Sequence, residues 1–551
     1  MNAFARRGET SVRPIDDGDD MVLMATWLSN PRVLEWVHGR DRPYSVEAVR
    51  AEYAPDVLEA EGVSGCIIEH DEVPVGFIQF YEASPCKGEY GFAADDDLDR
   101  VWACDLWIGV PELWGTGVGT SAIQAVLDHL FVECGARRVL IDPRIANERA
   151  VRAYEKVGFR KVRVLPAHEH HEGRDWDNWL MSIDALDHPT GLTAALARVD
   201  SVNPGLVPGA AGEGAVSAFV ERWCVDRGFE VTRSEIEPDR WNVVATRRGS
   251  GGGRSLLFNG HLDTVGVTGP SVMDVRLGDG RLTGRGVLDT KGGLAAALLA
   301  AASIEPGELA GDVVVAAVAD EEYASIGTEA LVLAHRADAA VVLEPTDLRV
   351  VARHRGFAVI TATFEGRPSH TSRPDRGANA VHAAARATVA LAELDRMWTE
   401  SDPADISARP STLVSGVTSN GQTFSVPPHC RLVVEVRTTA ADPAGQVQQV
   451  IDAIEAAAGD TTVHAMVELQ RPPMDVGEHD LVHALVHGLG GGDVVGAPYW
   501  TDAALHVESG TPAVVFGPLG EGLHEDLEWI ATDSLQRCTD ALRTLIRTWC
   551  A

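Results

Sequence analysis

Apolar runs that stop at a histidine or a carboxylate recur through the second half of this 551-residue chain. "RSLLFNGH" ends at His261, with Asp263 two residues on, and "VVVAAVADEEYASIG" passes into Asp320-Glu321-Glu322. "AVVLEPTD" ends at Glu344, and "TPAVVFGP" leads towards His524. Between them, "GLAAALLAAAS" has the character of a core helix. Strands alternating with helices predict a parallel sheet covered by helices, and sites in such sheets form beyond the carboxyl ends of the strands. His261 and Asp263, at i and i+2, share one face of a strand. "GRGVLDTKGG" adds Asp289 in a polar turn before a helix. A single ending of this kind is usually a solvated loop. Five together predict a site: two histidines and three carboxylates, one of them shared, would hold two metal ions of the zinc type.

The length predicts roughly three to four domains. A net charge of -34 leaves no basic stripe to release counterions, which argues against nucleic acid as a partner. The longest apolar tract, residues 292–304, is too short to span a bilayer. "MNAFARRGETSVRP" has no apolar stretch behind its arginines, so no secretory signal is expected. Cysteines at 66, 86, 104, 134, 224, 430, 538 and 550 form no C-x-x-C pair, which fits free thiols in a reducing cytoplasm.

A seam at 184–214 combines a Pro-Gly break, a helix-like stretch from Leu192 to Val199 and a Pro/Gly-rich loop. Before it, "DLWIGVPELWGTGVGTSAIQAVLDHLFVECG" runs from a strand through alternating glycines into a helix expected at about 119–134. Such glycines let backbone N–H groups approach a pyrophosphate at a positive helix end. After the seam, residues 353–465 read as a β-α-β-β-α-β insertion on the larger sheet. "HEHHEG" at 168–173 reads as a solvated turn between the last two strands before the seam.

The first 183 residues resemble the acetyl-CoA-dependent N-acetyltransferase superfamily, and more narrowly the aminoglycoside 6′-N-acetyltransferases. The motifs are "TWLSNPRVLEWV", "PVGFIQFY", "DDDLD", "CDLWIG", the glycine loop and "LIDPRIANERAVRAYEKVGF". The resemblance implies that acetyl-CoA lies along Trp107, Ile108, Gly109 and Val110. Its pyrophosphate would rest on Gly115, Thr116, Gly117, Val118, Gly119 and Thr120, with Asn147 also binding it. Tyr154 would be the acid for the leaving thiolate, and Asp105 the carboxylate that orients or deprotonates the attacking amine. Phe92-Ala93 stands where the family commonly has a tryptophan pair, so the acceptor pocket is expected to differ.

From about Leu192 onward the chain resembles the co-catalytic zinc family of acetylornithine deacetylase, succinyl-diaminopimelate desuccinylase, aminoacylase and glutamate carboxypeptidase. Its motifs are "SVNP", "GHLDTV", "GRGVLDTKGG", "DEE", "EPT", "SHTSRPDRGANA", "VPPHCRLVVEVR", "TDAALHVESGTPAVVFGP" and "HEDLE". The resemblance implies that Asp289 bridges two metals, one held by His261 and Glu344, the other by Glu322 and His524. Zn2+ is the expected ion, with Co2+ or Mn2+ as alternatives. Glu321 would be the general base and Asp263 would orient His261. His370 would reach a partner subunit's site, and Arg437 would bind a substrate carboxylate.

The expected fold class is α/β: an N-terminal acetyltransferase fold with a mixed sheet, fused to an α/β zinc hydrolase carrying an inserted lid. The domains would be 1–185, then 186–352 with 466–551, and the insertion 353–465 that makes a homodimer. A bifunctional cytoplasmic enzyme is expected, acting on small amines and N-acyl amines, with neither nucleic acid nor membrane as partner. Opposed acylation and deacylation imply protection and deprotection of an amine, in an antibiotic or specialised amino-acid pathway. Two alternatives stay open: a zinc carboxypeptidase or dipeptidase with an accessory resistance transferase, and a binding protein with one degenerate domain.

Overall fold

The computed structural model describes residues 3–266, 274–401 and 405–551. It divides into two compact units. The first comprises Met1–Phe219, Leu262–Ser303 and Pro518–Thr539, and the second Val220–His261, Ile304–Gly517 and Asp540–Ala551.

In the first unit an eight-stranded sheet is built from β1 (Ala5–Arg7), β2 (Thr10–Pro14), β3 (Val63–His70), β4 (Val73–Glu82), β5 (Val101–Ile108), β6 (Arg138–Ile141), β7 (Arg160–His171) and β8 (Arg174–Asp184). The strands lie in the order β1-β2-β3-β4-β5-β6-β8-β7. Only β5 and β6 pair in parallel; the neighbours are antiparallel. The glycine loop expected to open a helix does so. Gly117 takes φ 105° as the N-cap of Val118–Val132, a conformation that favours glycine. This helix buries Ile123, Leu127 and Leu130 completely, each worth about 1.5–3 kcal/mol of apolar burial. "NERAVRAYEKVGF" folds as its ends dictate. Asn147 accepts a hydrogen bond from the Ala150 N–H at the start of helix Glu148–Val157, and Gly158, at φ 113°, ends it.

The seam is more ordered than its composition suggests. Pro189–Ala197 is a helix whose Leu192, Ala194 and Leu196 are fully buried. It packs against both Val118–Val132 and the apolar helix Gly292–Ala302. The Lys291 ammonium, itself buried, donates to the Val199 carbonyl at 3.0 Å.

In the second unit a nine-stranded sheet has a parallel centre. Ala513–Val515, Ala339–Val342, Leu256–His261 and Val313–Val318 lie side by side, and Arg240–Arg247 and Glu230–Glu237 close one edge antiparallel. All six residues of Leu256–His261 are buried, because a central parallel strand is covered on both faces. The register sets His261 beside Val318, and Asn259 beside Val342. The next turns therefore carry Glu321 and Glu344 to the same end of the sheet.

A separate four-stranded antiparallel sheet has the order Ser411–Ser419, His429–Thr438, Gly356–Glu365, Thr462–Arg471. With helices Ala380–Ser401 and Pro443–Ala456 it has the β-α-β-β-α-β element order, and its last strand continues to Arg471. Ala358, Ile360, Ala362 and Phe364 alternate along Gly356–Glu365 and are fully buried in the core that this sheet shares with the helices. Among the described residues no helix is long and apolar enough to cross a membrane. All eight cysteines are free.

Candidate active sites

Two cavities in the first unit meet along β5. The larger, about 320 Å3, is lined by Trp107, Ile108, Gly115, Gly117, Gly119 and Thr120, with Asn147 and Tyr154 on its wall. Gly109, Val110, Thr116 and Val118 stand outside that wall. Val118 is buried in the core, and the Thr116 hydroxyl donates to the Leu113 carbonyl at 2.7 Å. A side chain at Gly109 would meet the Trp27 ring at 2.2 Å, which accounts for the glycine. The wall also has three basic residues that the sequence reading passed over: Arg149, Arg152 and Lys156. Their spacing of i, i+3, i+7 puts them on one helical face. In a chain of net charge -34, cations gathered beside glycine N–H groups at a helix start suit a polyphosphate. Acetyl-CoA fits these residues.

The second cavity, about 250 Å3, shares Trp107, Asn147 and Tyr154 with the first and adds Asp105 and Asp142. The Asp105 carboxylate accepts from Gln79 Nε2 at 3.0 Å and from the Tyr81 hydroxyl at 3.2 Å. Burial, then the charge of Asp142, raises its pKa to about 6. Burial likewise pushes the Tyr154 phenol up, so it stays protonated at neutral pH. The arrangement can hold an ammonium, take its proton, and return a proton across the junction.

The "HEHHEG" tract is a correction to the sequence reading. Residues 168–171 belong to β7, and only Glu172 and Gly173, at φ 52° and 71°, make the turn. His168 Nε2 lies 3.0 Å from Asp142 Oδ2, and Glu169 lines the second cavity.

In the second unit the sheet's carboxyl end gathers His261, Glu321 and Glu344, with one ligand atom of each within 4.8 Å of the others. His261 Nε2 is 3.9 Å from Glu344 Oε1. The turn that presents Glu321 is anchored by Asp320, whose carboxylate pairs with buried Arg240 at 2.7 Å. Burial, then the charge of Glu344, pushes Glu321 well above the usual carboxylate range, and Glu322 and Asp502 act in the same sense. So many acids around one histidine form a donor set short of positive charge, which a divalent cation would supply. Asp502, within "TDAALHVESG", is a residue the sequence reading did not single out. Its carboxylate accepts from the Thr328 hydroxyl at 2.5 Å, and Thr328 Oγ1 accepts from Asn259 Nδ2 at 2.9 Å. Asn259 stands two residues before His261, on the same strand face.

The remaining hydrolase residues of the first unit are also held. Asp263 is fully buried and accepts from Asn203 Nδ2, of the "SVNP" motif, at 2.7 Å. His524 Nε2 is 3.3 Å from Asp289 Oδ2, with its imidazole largely exposed. Glu528, the final acid of "HEDLE", grips the segment before Asp289. It accepts from the N–H groups of Gly286, Leu288 and Asp289 at 2.8–3.1 Å and pairs with Arg285 at 2.9 Å. In the four-stranded sheet region of the second unit, His370 is exposed with Nδ1 2.8 Å from the Ser372 hydroxyl. Arg437 is half-buried, 5.4 Å from the Phe357 ring.

Residues 257–548, more than half of the chain, match peptidase family M20/M25/M40. The chain belongs to this family. Residues 16–166 match the acetyltransferase (GNAT) domain, so this M20 member is a two-domain enzyme with an acetyltransferase at its N-terminal side. Acetylornithine deacetylase of Myxococcus xanthus is 32% identical over 340 residues, covering 59% of this chain and 89% of that protein. Aminoglycoside N(6′)-acetyltransferase type 1 of Klebsiella pneumoniae is 29% identical over 142 residues, 26% of this chain and 70% of that one. Aminopeptidase PepT of Bacillus cereus shares the hydrolase fold, with TM-score 0.56 and 19% identity over 66% of this chain and 98% of that one. The M20 family is dinuclear and metal-dependent, and GNAT domains use acetyl-CoA.

Proposed function

We propose that the chain acetylates a primary amine from acetyl-CoA and, at its second site, hydrolyses an N-acyl amide. The observation that carries the first half is the meeting of the two cavities at Tyr154, with half-buried Asp105 on the wall of the second. Asp105 removes one proton from the bound ammonium, and the neutral nitrogen attacks the acetyl carbon. As the C–S bond breaks the Tyr154 phenol protonates the departing thiolate, and the second proton shed by the new amide nitrogen returns to the phenolate.

For the second half, His261, Asp289, Glu322, Glu344 and His524 are the residues that would hold two Zn2+ ions, with Co2+ or Mn2+ as alternatives. When bound, the ions would polarise the amide carbonyl and acidify water. Glu321 takes the proton from the attacking water and delivers it to the leaving amine nitrogen. Asp263 orients His261, His370 stabilises developing negative charge in a partner's site, and Arg437 binds a substrate carboxylate. The last two roles need a homodimer through the 353–465 region. Leu413, Met466 and Leu469, exposed on the sheet face turned away from its helices, support one. The free cysteines suit the cytoplasm. The likeness to acetylornithine deacetylase favours deacylation of an N-acyl amine over peptide cleavage. The pairing suits protection and later deprotection of an amine in a biosynthetic or antibiotic pathway.

Mass spectrometry of amine and N-acyl-amine libraries tests both halves. Asp105→Ala is expected to abolish products heavier by one acetyl group and leave deacylation intact, and Glu321→Ala to do the reverse. A variant that removes both activities, or neither, would sink the assignment.

A further inference from the structure

Three carboxylates face the smaller cavity, and they differ in what neutralises them. Glu169 accepts from Arg144 Nε at 2.6 Å and from Asn178 Nδ2 at 2.7 Å. Arg144 is itself fixed, donating to the Glu35 carbonyl at 2.6 Å and the Val37 carbonyl at 3.3 Å. Asp142 Oδ2 lies 3.0 Å from His168 Nε2 and accepts from Asn178 Nδ2 at 3.2 Å. Asp105 receives only neutral donors, Gln79 and Tyr81, and among the described residues no basic side chain pairs with it. The cavity's own histidine, His38, shares a hydrogen bond of 2.7 Å with the Tyr53 hydroxyl, and burial keeps its pKa low.

The wall therefore carries two internal ion pairs and one uncompensated negative charge. A cation entering a buried site is stabilised only where a charge of opposite sign awaits it; elsewhere its lost hydration goes unreplaced. We propose that His168, by pairing with Asp142, makes this acceptor site selective for a small amine with a single positive charge. The charged nitrogen sits on Asp105, and a second ammonium finds Asp142 already taken. The hydrogen bond to Asp142 raises the His168 pKa, which favours the charged imidazole that the pairing needs. His168 lies half-buried on β7, its ring stacked at 6.5 Å against Tyr90, so the pair is held in place. The inference rests on the transferase reading and names its substrate class.

Two amines of equal length, n-pentylamine and 1,5-diaminopentane, test it on the full chain, with thiol release from acetyl-CoA as readout. Wild type is expected to favour the monoamine at least tenfold in kcat/KM. His168→Gln, which keeps a polar side chain without the charge, should shift that ratio at least tenfold towards the diamine. His168→Lys, which restores a cation, should return the wild-type preference, an outcome that a merely structural role would not produce. A wild-type preference for the diamine, or a ratio unmoved by His168→Gln, would overturn the inference. Absence of thiol release with either amine in the wild type would instead overturn the transferase reading itself.

Discussion

Asp105, the base proposed for acetyl transfer, illustrates how one half-buried group would set the working pH of a site. Its pKa, raised to about 6 by burial and by Asp142, makes it a stronger base than an exposed aspartate while leaving it ionised at pH 7. Acetyl transfer is therefore expected to fall as pH drops through about 6, because protonated Asp105 can no longer accept the ammonium proton. Asp142→Asn removes a negative charge that disfavours ionised Asp105. The Asp105 pKa then moves down, and the acid limb of the kcat/KM profile moves with it. A profile between pH 5 and 8 checks this, and a limb that stays put or moves up contradicts it. Residues of this kind were unevenly legible in the sequence. The place of Asp105 on the cavity wall could be read because a motif carries it. His168 could not, because its partner Asp142 is 26 positions away in sequence and only the return of β7 alongside the cavity joins them.

At the scale of elements, the proposed hydrolase chemistry depends on turns gripped from a distance. Glu528 offers both carboxylate oxygens to the segment Arg285–Asp289, so the backbone that presents Asp289 is tied to a residue some 240 positions later. Glu528→Gln keeps the volume but loses one acceptor oxygen. Residues that orient metal ligands typically matter about 10–100-fold in metal affinity. The variant is expected to lose metal by about that factor in a chelator competition, with amide hydrolysis falling in proportion and thiol release from acetyl-CoA unchanged. Unaltered metal retention would show that the segment holds its shape without Glu528. The strands ending at His261, Val318 and Val342 were legible because central parallel strands must be continuously apolar. The helix Gly292–Ala302 and the alternating strand Gly356–Glu365 were legible for related reasons. The seam was less so: Pro189 and Gly191 suggest a break. Yet Pro suits the first turn of a helix, and a side chain at Gly191 would meet the Ala185 carbonyl at 2.2 Å. The proline starts the helix and the glycine permits the close approach, so both residues serve burial.

For the molecule as a whole, the two chemistries share a foundation. The first unit joins the acetyltransferase domain to hydrolase segments, and polar groups buried inside it cross that boundary. Arg7, on β1, pairs with Asp128 at 2.9 Å while its other nitrogen donates to the Thr532 carbonyl at 3.0 Å. Both partners of the ion pair are nearly inaccessible, at 6% and 2% side-chain exposure. Nearby, Arg198 donates to the Val132 carbonyl, and the Leu277 N–H donates to Glu133. Removing one member of a buried pair strands the other's charge, at a cost of about 3–5 kcal/mol. Arg7→Ala is therefore expected to lower the temperature at which acetyl transfer is lost on heating, and to lower that of amide hydrolysis with it, although no hydrolase residue has changed. Independent domains would instead lose only the transferase early. The double variant Arg7→Ala, Asp128→Ala should recover part of the loss in both activities, because the stranded carboxylate is then gone. Thermal inactivation followed by the two assays on one sample decides between these outcomes. A shift confined to acetyl transfer would mean that the fusion is a tether, and a common shift that each enzyme is part of the other's core.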